Sequence, residues 1–66
     1  MFAIEWLRRG SPVDKEISVL PSETEVIASA RSRARDVAKR HPGREPDSFR
    51  LTDATGKMVG APIDLR

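Results

Sequence analysis

The stretch SETEVIASARSRARDVAKRH, Ser22 to His41, decides the fold. At about 100° per residue around a helix axis, Val26, Ile27, Ala30, Ala34, Val37, Ala38 and His41 fall in one sector roughly 120° wide. That is the stripe of a helix packed on one side. Glu25, Ser29, Ser32 and Asp36 fall opposite. The alanines in the stripe let the axis sit close to a sheet. Ser22 is placed to cap the helix, and Glu25 three residues later completes a capping box. Glu23 and Glu25 put negative charge at the positive end of the dipole, and Lys39, Arg40 and His41 put positive charge at the other. Pro21 is positioned to staple onto Val26. Pro42 and Gly43 stop the helix.

The flanks read as strands. Phe2, Ile4 and Trp6 alternate with Ala3, Glu5 and Leu7, so the bulky set turns toward the helix. Arg8 to Pro12 holds Gly10, Ser11 and Pro12 and reads as a turn, though not one of the two-residue hairpin types. A second strand is predicted over about Asp14 to Leu20, with Ile17 and Val19 inward and Glu16 and Ser18 outward. After a polar loop, Phe49 and Leu51 alternate with Arg50 and Thr52. Asp53 to Lys57 reads as a type I turn with Gly56 left-handed in a bulge, which places Leu51 across from Val59. Val59, Ala61, Ile63 and Leu65 are then inward, and Met58, Gly60, Pro62 and Asp64 outward.

The whole chain, residues 1–66, reads as a single α+β domain of ββαββ layout. One amphipathic helix covers one face of a four-stranded, mainly antiparallel sheet. Two strand orders satisfy the pattern: 2-1-3-4, or a β-grasp-like 2-1-4-3. Pro62 lacks the N–H a central strand needs and favours an edge for the last strand. The alternating start (Phe2, Ile4, Trp6), the capped helix (Ser22, Glu25) and the Asp53 to Gly56 turn resemble small bacterial domains of unknown function with a hairpin–helix–hairpin layout. The resemblance implies a fold and brings no functional residues with it.

Composition excludes more than it assigns. No cysteine is present, which suits a reducing compartment and leaves neither disulfide nor thiolate site. Glu5, Arg8 and Arg9 interrupt the opening before any long apolar run, and no stretch has the length of a membrane span, so the expected location is cytoplasmic. Twelve basic residues oppose ten acidic ones for a net charge of +2. Nine of the twelve are arginine, the better phosphate fork, and also the residue that GC-rich codons favour.

Catalytic and metal constellations are thin. His41 is the sole histidine, and its nearest candidate nucleophile is a loop-border serine such as Ser48. The pairs Asp14/Glu16 and Glu23/Glu25 lack metal-loop spacing, and Gly56-Lys57 lacks the rest of a phosphate loop. Asp36 is spaced to pair with Arg33 and Arg40 on its own helix. The expectation is no enzyme, no cofactor and no metal.

Two features lean toward binding. Arg31, Arg35 and Lys39 recur every four residues as one basic row beside the apolar stripe, suited to an anionic partner. No aromatic interleaves with them, and no recognition motif supports base-specific readout. The second feature is the sheet's uncovered face, expected to carry Ala3, Leu7 and Met58, with Leu20 nearby. The reading is a small non-enzymatic interaction module that self-associates or docks another protein through its open sheet face or edge. The second reading is weak, sequence-independent nucleic-acid binding by Arg31, Arg35 and Lys39.

Overall fold

A computed structural model describes residues 1–65. The elements follow in the order β1 (Phe2–Arg8), β2 (Ser11–Ser18), α1 (Glu23–Arg40), β3 (Ser48–Thr52) and β4 (Met58–Asp64). The four strands form one antiparallel sheet in the order β2-β1-β3-β4. Of the two predicted orders, the β-grasp-like one is excluded. Pro62 sits on an edge strand, where a missing N–H costs no ladder bond.

The helix forms where its caps predict. Ser22 is extended (φ −127°) and its Oγ accepts from the Glu25 N–H at 3.2 Å. At the far end the His41 N–H donates to the Ala38 carbonyl, and the Arg44 N–H to the His41 carbonyl. Val26, Ala30 and Val37 are buried against Ile4, Trp6, Phe49 and Leu51. Phe2, Leu20, Ile27, Ala34, Val59, Ile63 and Leu65 close the rim of this core. Leu20 therefore belongs to the core side and not to the open face. Trp6 and Phe49, opposite each other on β1 and β3, stack tilted with centroids 5.6 Å apart.

The β1–β2 hairpin departs from the predicted reading in two ways. Its turn has two residues after all: Arg9 (φ 50°) and Gly10 (φ 80°) both take positive φ, the requirement of a type I′ turn, and Arg8 pairs with Ser11. β2 thus begins at Ser11, ahead of the expected Asp14. Second, Leu7 pairs with Pro12 and Trp6 with Asp14, so Val13 is an extra residue in the ladder. A one-residue bulge exchanges the two faces of the rest of the strand. Glu16 lies opposite Ile4 on the helix side, and Ile17 lies opposite Ala3 on the outer side. Ile17 and Val19, expected inward, are 61% and 84% exposed.

The bulged ladder puts complementary charges together. Without the bulge Lys15 would face Arg33, Arg40 and His41. With it, those three side chains meet Asp14 and Glu16.

The β3–β4 hairpin follows its predicted turn. The Asp53 N–H donates to the Lys57 carbonyl, the Gly56 N–H to the Asp53 carbonyl, and Gly56 has φ +87°. Asp53 Oδ1 accepts from the Thr55 N–H, the Thr55 hydroxyl and the Lys57 N–H. These bonds, the Thr55 hydroxyl's foremost, hold the Asp53 carboxyl below its usual 3.8. Leu51 faces Val59 as expected. Farther along, Phe49 faces Ile63, so Gly60, Ala61 and Pro62 stand against Arg50 alone. Val59 and Ile63 both stay on the helix side, but Ala61, expected inward, is exposed in this excursion.

Candidate functional site

The helix has two basic flanks, and the fold treats them differently. On the flank toward β2, Arg33 reaches Glu16 at 2.8 Å, and Arg40 reaches both Glu16 and Asp14 at 3.3 Å. His41 Nε2 lies 3.0 Å from Asp14 Oδ2. The hydrogen bond from His41 is the main cause of an Asp14 pKa below the usual 3.8, with the Lys15 N–H and the Arg40 charge adding to it. Arg33 and Arg40 thus pair across to the sheet, not with Asp36 on their own helix.

On the other flank, Arg31, Arg35 and Lys39 are exposed, and none of them forms an ion pair among the described residues. At 1.5 Å rise per residue, the row spans about 12 Å of helix surface.

The outer sheet face is built in transverse rows. At one end Ile17, Ala3, Thr52 and Met58 run across all four strands. The next row carries Lys15, Glu5 and Arg50, with Glu5 and Arg50 ion-paired. The last runs through Pro12, Leu7, Ser48 and Asp64. Of the three expected interface residues, all on this face, only Met58 is open, at 52% exposure; Ala3 is 8% and Leu7 2% exposed. Leu7 shares the wall of a hollow of about 820 Å³ with Pro46, Asp47 and Pro62, the loop and excursion residues at that end.

Ile17 on this face, and Val19 just past the end of β2, are exposed large apolar side chains that alternation alone misses. The signal for them was the charge order of β2, Asp14-Lys15-Glu16, read against the arginines on the facing helix flank. Ser48 and His41 are not brought together: Ser48 is buried on the outer face opposite Leu7, while His41 contacts Asp14 on the helix side. No three His, Cys, Asp or Glu side chains converge among the described residues. No helix of the described chain is long and apolar enough to cross a membrane. Comparison with protein-family models, curated proteins and solved structures finds no match.

Proposed function

We propose that the protein is a non-enzymatic interaction module that associates with a second copy of itself. One observation carries the reading. The large exposed hydrophobics Met1, Ile17, Val19 and Met58, 52–84% open, belong to the sheet and its flanking residues, and none to the helix. Apolar area left in water on one side of a small domain is stabilised by being covered. The test is solution mass by light scattering from low to high micromolar protein. A reversible rise from monomer to dimer mass is expected, and a monomer throughout overturns the reading.

A second reading has its own support in the unpaired row. Arg31, Arg35 and Lys39 project from a rigid helix with no carboxylate on them, so an anionic polymer meets three uncommitted cations. With three phosphate contacts on duplex, log affinity should fall against log salt with a slope of about −3, roughly 40-fold between about 50 and 200 mM salt. Anisotropy of a labelled random duplex at both salts checks it, and Arg35→Ala should reduce the slope by about one.

A further inference from the structure

The sheet has two edges, and they are guarded at different places. β4 carries an excursion at Gly60 to Pro62, and proline has no N–H to offer a further strand. β2 is guarded only in its first half, by Pro12, the Val13 bulge and Lys15, whose N–H is taken by its neighbour's Asp14 Oδ1 at 2.8 Å. That bond also reveals which backbone groups face outward. In an antiparallel ladder, residues alternate between bonding the neighbouring strand and pointing away from it. Lys15 points away, so Ile17, at the same parity, does too, and Val19 follows just past the end of the strand at Ser18. The Lys15 carbonyl and the Ile17 N–H and C=O therefore form an open template, which a pairing strand would carry on to Val19. The same residues carry the exposed apolar side chains, 61% and 84% open. A hollow of about 390 Å³ runs beside this stretch, lined by Ile17 and Val19 themselves together with Glu16, Ser18, Ser29 and Arg33.

We propose that Lys15–Val19 pairs antiparallel with the same segment of a second copy, about a two-fold axis through Ile17, extending one sheet across both molecules. The proposal rests on the self-association reading and specifies its geometry. The register follows from charge and backbone chemistry. Axes through Asp14, Lys15 or Glu16 set identical charges directly opposite each other, which is destabilising. An axis through Ser18 brings the Lys15 carbonyl against Pro21, which has no N–H to give. With the axis on Ile17, Ile17 faces Ile17, Lys15 faces Val19, and Glu16 faces Ser18, with no like charges opposed. The two Ile17 residues exchange N–H···O=C bonds, and each Val19 N–H meets the opposite Lys15 carbonyl. On the outer face the four Ile17 and Val19 side chains come together and leave water.

The experiment is amide hydrogen exchange by NMR on the unmodified chain at low and high protein concentration, with light scattering on two variants. Protection of the Ile17 and Val19 amides should rise about tenfold or more with concentration. Ile17→Pro removes an outward N–H that β1 does not use, so it should leave a folded monomer, with the folded state checked by Trp6 fluorescence. Met58→Lys, on the same face but at the far edge, should still dimerise. A dimer abolished by Met58→Lys, with Ile17 and Val19 amides unprotected at every concentration, overturns the edge geometry and keeps self-association. A monomer at all concentrations overturns both.

Discussion

The two hairpins each contain a ladder irregularity, and the parity of the insertion decides what it does. In the β1–β2 hairpin one extra residue, Val13, stands beside the Trp6–Leu7 step. In the β3–β4 hairpin Gly60, Ala61 and Pro62 stand against Arg50, two more than a regular ladder holds. An odd insertion reverses the faces beyond it, and an even one restores them. So Ile17 is outside and Ile63 inside, although both sit in strands with a similar alternation. The reversal is tolerated in β2 because its inward positions then hold Asp14 and Glu16, which the helix cations neutralise. No such partners await β4, whose inward residues must be apolar.

Deleting one residue from each irregularity breaks the comparison most severely. Removal of Ala61 leaves Gly60 and Pro62 against Arg50, an odd insertion that holds Ile63 opposite Phe49, whereas a ladder closed up without a bulge turns Ile63 and Leu65 away from the helix. Each is only partly buried, so the bulged form is expected, at a loss of about 1–2 kcal/mol against about 2–4 kcal/mol for the unbulged one, read by urea unfolding. Removal of Val13 leaves Trp6 opposite Asp14 and Leu7 opposite Pro12 and should cost about 1 kcal/mol or less, with the fold unchanged.

Truncating the two isoleucines sharpens the same contrast. Ile63→Ala should cost about 1–2 kcal/mol, below the fully buried range because the side chain is half-buried. Ile17→Ala should stay within about 0.5 kcal/mol in monomer unfolding. Equal losses at the two sites would mean that the faces are not reversed.

The turn of the first hairpin offers a smaller effect of opposite sign. Arg9 holds φ 50° at a position where type I′ turns prefer Asn. Arg9→Asn should stabilise by about 0.5–1 kcal/mol, seen as a higher urea midpoint.

The smallest effect is the part of the pH dependence that Asp14 in β2 contributes. The folded Asp14 carboxyl has a lowered pKa, so its stabilising contribution is present above the unfolded value of 3.8 and is lost as pH falls through the folded value. Unfolding midpoints measured downward from pH 5 should decline, and Asp14→Asn should flatten part of that decline. Arg33 and Arg40 are half exposed, 49% and 53% at their side chains, so each of their pairs is worth at most about 1 kcal/mol.

These contrasts mark what was legible in the residues. The helix and its caps, the inward sets of β1 and β3, and the Asp53 to Lys57 turn all follow local rules that a short window contains. The face of β2 does not. Alternation reads Ile17 and Val19 as core, and the bulge that reverses them matches Asp14 and Glu16 to Arg33 and Arg40, a nonlocal relation that no short window contains. The row Arg31, Arg35 and Lys39 was legible because helical spacing alone sets its direction. The faces of Ala3 and Leu7 were legible too, but their burial was not. It depends on neighbouring strands and on the loop around Asp47, whose N–H donates to the Leu7 carbonyl.

Trp6 is wholly buried, and among the described residues its Nε1–H finds no acceptor. An indole whose N–H has neither water nor a polar partner to reorganise around its excited state emits at the short-wavelength end of the tryptophan range. It is also the chain's single tryptophan, so the whole signal comes from the centre of the core. The molecule thus carries its own optical gauge of core integrity, and a red shift in any variant will report water reaching the core between helix and sheet.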